Sequence, residues 1–189
     1  MKPAQLDYAL RVRLPIVVFV ALAAFIVTFY VSRAERDGIG YAPRQPIAFS
    51  HALHAGTMRI DCTYCHTAVT VSPSATIPAV SVCMNCHTVA RKNRPEIIKL
   101  TQYYEEGIAL PWKRIHKVPD FVYFNHSIHV NRGIGCAECH GDVRSMDVVQ
   151  QVADFTMGAC LDCHRNAPQR LAGIPGIAKG PENCYACHR

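Results

Sequence analysis

Five pentapeptides carry all ten cysteines of the 189-residue chain: CTYCH (62–66), CMNCH (83–87), CAECH (136–140), CLDCH (160–164) and CYACH (184–188). In each, two residues separate the thiols, and a histidine follows the second thiol at once. Two thiols a helical turn apart can add to the vinyl groups of one haem, and the adjacent imidazole then lies under the ring as an axial ligand. Cys62, Cys65, Cys83, Cys86, Cys136, Cys139, Cys160, Cys163, Cys184 and Cys187 are therefore read as anchors of five covalent haems c. His66, His87, His140, His164 and His188 are read as the proximal iron ligands. Zinc ribbons and disulfide frameworks also use CxxC pairs, but neither requires a histidine directly after the second cysteine.

Five iron faces remain, and five histidines remain to meet them: His51, His54, His116, His126 and His129. The equality predicts a fully bis-histidine, six-coordinate set. His51 and His54 lie upstream of the first motif in FSHALHAGTMRIDCTYCH, and His126 and His129 repeat the arrangement in FNHSIHVNRGIGCAECH. Residues i and i+3 share a helical face, yet each iron offers only one free position, so the members of a pair serve neighbouring haems. The competing role for one member of each pair is a hydrogen bond to a haem propionate. His116, in PWKRIHKVPD, stands alone and competes with a plain surface histidine. Met157, three residues before Cys160, is the rival ligand for one haem, ahead of Met58 and Met84. A thioether there would raise that haem's potential, although gap-filling is the commoner use of methionine.

The elements that must carry these groups are a membrane helix and a helical but largely irregular domain. Leu14–Val31 is an uncharged run of eighteen, about 27 Å as a helix and enough to cross a bilayer core. Arg11 and Arg13 stop it on one side, Arg33 and Arg36 on the other, with Phe29 and Tyr30 at an interface and Pro15 in the first turn. Ala21-Leu22-Ala23 resembles a signal-peptide cleavage site, but the apolar run continues well past it, which favours a retained anchor. Flanking charge is only weakly asymmetric. Haem attachment on the outer side of the bacterial inner membrane argues for residues 1–13 in the cytoplasm and the haem domain in the periplasm.

Residues 32–47 read as a linker, followed by a haem domain over 48–189. Within it, 48–90 is a two-haem unit, 91–123 a connecting segment and 124–189 a three-haem unit, which reads as a duplicated two-haem module plus a terminal haem. The connecting segment predicts one amphipathic helix with Pro95 near its start and Gly107 after its end, and Ile97, Ile98, Leu100, Tyr104 and Ile108 on its buried face. From His51 on, fewer than thirty residues serve each motif. That is too little protein for an apolar core, so the porphyrins are expected to form it. The formal charge of +6 is matched by ten expected propionates, and no basic run points to nucleic acid.

The H-x-x-H before CxxCH resembles the class III multihaem cytochromes. That resemblance implies that His51 serves the haem of Cys62 and Cys65, and His126 that of Cys136 and Cys139, while His54 and His129 reach other haems. The single N-terminal helix, FSHALHAGTMRIDCTYCH, WKRIH…PDFVYFNHSIHV and MGACLDCHR resemble the membrane-anchored pentahaem subunit of alternative complex III over most of residues 14–189. The resemblance implies an electron-transfer subunit without bond-making chemistry, beside quinol-site membrane subunits, an iron–sulfur protein and a mono-haem cytochrome, feeding a periplasmic acceptor. Two other readings stand beside it. One is a stand-alone quinol dehydrogenase feeding a periplasmic reductase. The other is a multihaem reductase of nitrite or a similar oxyanion, which needs one open iron.

Overall fold

Eighteen apolar residues without a charge have no polar face to turn to water, and they fold as one helix. The computed structural model describes residues 3–32 and 38–188, which divide into two units, Met1–Asp37 and Gly38–Arg189. In the first unit α1 (Pro3–Tyr8), a π-helical turn (Ala9–Arg13) and α2 (Leu14–Val31) follow without a break. Within the helical span Gln5–Val31, an 18-residue stretch has a mean hydropathy of 2.7, and none of that stretch is buried. Such a helix suits a single-pass anchor or a signal sequence.

The helix thus starts well before Pro15 instead of at it. A proline inside a helix clashes with the carbonyl four residues back and lacks an N–H to bond it. The wide turn just before relieves this: Leu14 N–H reaches back five residues to Ala9 O. The polar extension is tied by an Asp7–Arg11 ion pair at 2.7 Å and by Arg13 lying over the Tyr8 ring. Arg33 and Arg36, expected to flank the span, lie outside the described residues, as does Lys2.

The second unit holds short helices and long connections. Among its described residues there is no strand, only one parallel bridge between Ile39 and Gln151. A π-helical turn (Ala52–Thr57) precedes α3 (Cys62–Cys65), α4 (Val80–His87) and α5 (Pro95–Glu105). Then come α6 (His126–Asn131), α7 (Ala137–His140), a 3-10 turn (Val143–Ser145), α8 (Met157–Arg170) and a 3-10 turn at Cys184–Ala186. Every cysteine pair therefore sits on a helical turn or at its edge. Side chains placed just before the turns cap them: Asp61 accepts from Thr63 N, Asn125 from Ile128 N, Thr156 from Ala159 N and Asn183 from Ala186 N.

The apolar core is as thin as the residue count requires. Ile47, Met84, Leu100 and Leu110 form one buried cluster, with Val80, Ile97, Tyr103 and Trp112 packed on it. The buried row of α5 is Ile97–Leu100–Tyr103, facing α4. Ile98, Tyr104 and Ile108, expected on that face, are about half exposed. Tyr104 and Ile108 instead line an open groove with Ile77 and Pro78.

The stretch read as a linker is, from Gly38 on, laced into this unit. Gly40 N donates to Gln151 O (2.8 Å), Gln151 N to Tyr41 O (3.3 Å), and Ile47 ends in the core. Gln151 is 2 % exposed, the most deeply buried polar side chain among the described residues. Its carboxamide donates to Ala153 O (3.0 Å) and accepts from Lys117 N (3.4 Å), one residue past His116. A Cβ on Gly38, whose φ is +81°, would overlap that carboxamide. Gln151→Leu leaves both partners unsatisfied in a buried place and is expected to cost about 1–3 kcal/mol. Chemical denaturation of the haem-loaded protein measures it, and an unchanged midpoint would refute the clamp.

Candidate functional site

All ten histidines are half-buried, and none pairs with a carboxylate among the described residues. Seven of them direct Nδ1 at a backbone carbonyl. The partners are Thr76 O for His66 (2.6 Å), Ala90 O for His87 (3.1 Å), Pro181 O for His164 (2.6 Å) and Phe121 O for His188 (3.2 Å). Ser50 O takes His54 (2.8 Å), Pro73 O takes His126 (2.7 Å) and Asn125 O takes His129 (2.8 Å). A carbonyl only accepts, so Nδ1 carries the proton and Nε2 is left with a free lone pair. That tautomer is the one a metal ligand needs, with the orienting bond already made.

The H-x-x-H repeat is also a structural repeat. The Phe49 ring stands edge-on to His51 (4.8 Å, 87°) and stacks on His54 (4.3 Å, 25°). Phe124 does the same to His126 (4.8 Å, 90°) and His129 (4.5 Å, 27°). The residue after each phenylalanine, Ser50 or Asn125, caps the turn with its side chain and holds the second histidine with its carbonyl. Phe is common to both segments, followed by Ser in one and Asn in the other, and only the structure shows that these residues orient the imidazoles.

The rings come together in pairs drawn from the two histidine classes. His54 faces His87 with centroids 6.2 Å apart, His129 faces His164 at 6.2 Å, and His126 lies parallel to His140 (3°) at 6.4 Å. Two imidazoles bound through Nε2 to one metal, each at about 2 Å, put their centroids about 6.3 Å apart. Three pairs therefore leave a gap of the size that one iron fills. His51 belongs beside His66: burial first, then His66, lower its pKa to about 4. Burial likewise lowers His140 to about 4, with His116 and His126 adding to it. Neutral imidazoles result, as ligation requires.

His116 departs from the pattern. Its ring stands edge-on to His140 at 4.3 Å, beside Phe155, and its buried Nε2 has no hydrogen-bond partner. The His188 ring stacks on Phe121, and no contact brings His116 to it. Met157, at the first position of α8, is two-thirds exposed, Met58 is half exposed, and Met84 is core.

The attachment motifs touch one another in a definite order. Asn85 of CMNCH donates to the Tyr64 hydroxyl of CTYCH (3.1 Å). Burial, then the neighbouring Cys65, push the Cys83 thiol up. Cys136 is raised by burial and then by Cys62, which joins CTYCH to CAECH across the duplication. Asn131 Nδ2 reaches Thr70 O (2.9 Å) along the same seam. Cys139 is raised by burial, Cys163 and Cys160, and Cys160 by burial and Cys187. CAECH thus adjoins CLDCH, and CLDCH adjoins CYACH.

Residues that face each other across iron-sized gaps, beside paired thiols and a minimal apolar core, fit covalently held haem. Residues 122–189 match the family model "Cytochrome c7 and related cytochrome c", and residues 29–107 match "Class III cytochrome C family". A curated relative, "Menaquinone reductase, multiheme cytochrome c subunit" of Nitratidesulfovibrio vulgaris (strain Hildenborough), is 25% identical over 166 residues. The match covers 77% of each chain. The chain is a mostly helical multihaem c-type cytochrome with one N-terminal apolar helix, and its work is electron transfer.

Proposed function

We propose that this multihaem cytochrome holds five haems c, all bis-histidine, and exchanges electrons with a quinone-linked membrane complex of the alternative complex III type. In this reading α2 anchors the chain, the second unit lies in the periplasm, and electrons leave for a periplasmic acceptor. The single observation that carries it is the set of histidine pairs at 6.2–6.4 Å, each joining a motif histidine to an upstream one. When bound, haem c supplies reversible one-electron chemistry at iron.

The chain's own residues do the rest. Thiols of the five motifs would fix each group, and Nδ1–carbonyl bonds fix the tautomer and tilt of seven of the imidazoles. His54 closes the face opposite His87, His126 that opposite His140, His129 that opposite His164, and His51 that opposite His66. His116 and His188 are left for the fifth site, although His116 stands against His140. Irons held this way would offer no open position for a substrate, which disfavours the nitrite-reductase reading.

The relative's name favours a second reading in which the same chain delivers electrons to menaquinone instead of taking them from it. Purification from membranes separates the alternatives. A stable assembly with quinone-reactive subunits is expected, whereas capture of a soluble reductase alone would support the stand-alone dehydrogenase. Adding a menaquinol analogue to the oxidised assembly then reads direction: bleaching of the quinol with haem reduction supports oxidation of quinol, and no reduction supports the reverse.

Resting spectra test the ligand set. The native chain is expected to show five low-spin centres, and His116→Ala is expected to lose one of them while Met157→Ala loses none. Loss in the Met157 variant alone would refute the five-for-five assignment.

A further inference from the structure

The contacts among the motifs define an unbranched row that does not follow chain order: CMNCH, CTYCH, CAECH, CLDCH, CYACH. The Asn85–Tyr64 bond and the Cys65–Cys83 proximity set the first step, and the Asn131–Thr70 bond (2.9 Å) with the Cys62–Cys136 neighbourhood sets the second. The turn holding His126 and His129, which face His140 and His164, sets the third. Tyr123 N donates to Cys187 O (2.8 Å), and Cys187 adjoins Cys160, which sets the last. CMNCH is an end because the other neighbour of its helix α4 is α5 and the apolar cluster around Leu100, which bring no further motif.

The loop that leaves this end is basic. Val89, Arg91, Lys92 and Arg94 are exposed, Val89 to 80 %, and with Asn93 they line an open hollow of about 550 Å³. Among the described residues none of the three cationic side chains makes an ion pair or a side-chain hydrogen bond. The next acidic side chain, Glu96, is turned away to Ala48 N (2.8 Å). Arg91 sits in the left-handed region (φ 57°), which a non-glycine residue rarely adopts. The loop is fastened to the site through Ala90 O, which takes the Nδ1 proton of His87 (3.1 Å). The loop backbone thus meets the His87 ring at Nδ1, leaving Nε2 free.

We propose that loop Val89–Arg94 is a docking surface at one end of the row, where an acidic redox protein exchanges electrons through the CMNCH site. The proposal rests on the pentahaem reading. Positive charge around an exposed hydrophobic residue draws an acidic partner and gives it a small apolar contact, the combination that speeds encounter without tight binding. A terminal site must exchange electrons with something outside the row, whereas the three inner sites have neighbours on both sides.

The test uses the full-length, haem-loaded protein in detergent, reduced and mixed with ferricyanide or hexaammineruthenium(III) in a stopped-flow instrument. Ferricyanide, a trianion, stands in for the acidic partner, and the ruthenium cation is the control. Arg91→Glu/Lys92→Glu/Arg94→Glu is expected to slow ferricyanide by about fivefold or more at low ionic strength, to leave the ruthenium reaction unslowed, and to lose its effect in high salt. The triple glutamine variant is expected to fall between. An unchanged ferricyanide rate overturns the proposal. So does a matching shift in haem midpoint potentials, which would mean that these cations neutralise haem carboxylates instead. A haem-to-protein ratio below five in the unsubstituted chain would instead fault the pentahaem reading, independently of the loop.

Discussion

Alanine at position 129 is expected to open one iron face and leave the others closed. His129 faces His164 at 6.2 Å, its Nδ1 bonded to Asn125 O and its ring stacked on Phe124. A ring fixed at both of those points has only Nε2 left to offer the gap. Removing it should convert about one fifth of the low-spin ferric signal to high spin and create one site for added imidazole or carbon monoxide. His126→Ala should do the same at CAECH, where His126 and His140 lie parallel at 6.4 Å. The competing role, a hydrogen bond from His129 to a haem carboxylate, predicts an unchanged spin state. Resting-state electron paramagnetic resonance distinguishes the two directly.

The second large effect is expected from a single methyl group at Gly180. Helix α8 contains Pro168, which has no N–H to give the carbonyl four residues back, that of His164. The freed His164 O accepts from Gly180 N instead (2.9 Å), and the following carbonyl, Pro181 O, takes the Nδ1 proton of the same histidine. Arg165 pairs with Glu182 at 2.8 Å on the same strap. Gly180 can come so close only because it lacks a side chain: a Cβ there would lie 2.5 Å from Cγ and 2.9 Å from Nδ1 of His164. The strap or the ring must then give way. Gly180→Ala is expected to destabilise the protein by about 1–3 kcal/mol and to alter the spectrum of the CLDCH haem alone. A variant with native melting temperature and native spectrum would show that the strap does not hold the ring.

The chemistry of this chain was legible because haem attachment is written locally. CxxCH and H-x-x-H are fixed spacings within a few residues, and the apolar run of α2 needs no partner to be recognised. The carbonyls that orient the motif histidines were not legible, since most come from afar: Pro181 for His164, Phe121 for His188. No period or propensity encodes such a bond. The buried face of α5 was misjudged for a related reason. Ile97, Ile98, Leu100, Tyr104 and Ile108 cover a broad arc, and α4 decides which part of it is covered. Gln151 gave no sign in the sequence, because a buried glutamine looks like any surface one until its partners at 38–41, 117 and 153 are folded around it.

The direction in which the histidine pairs are written also bears on how the molecule is made. In His54–His87, His126–His140 and His129–His164 the imidazole from outside the motif always comes earlier in the chain. Chains are synthesised from the N-terminus and segments fold as they emerge. On the proposed ligand set, the second imidazole of each of these three sites therefore precedes its cysteine pair, and a haem attached there could be closed on both faces at once. Assembly then proceeds in one direction, each completed site adding core for the next in a chain with little core of its own.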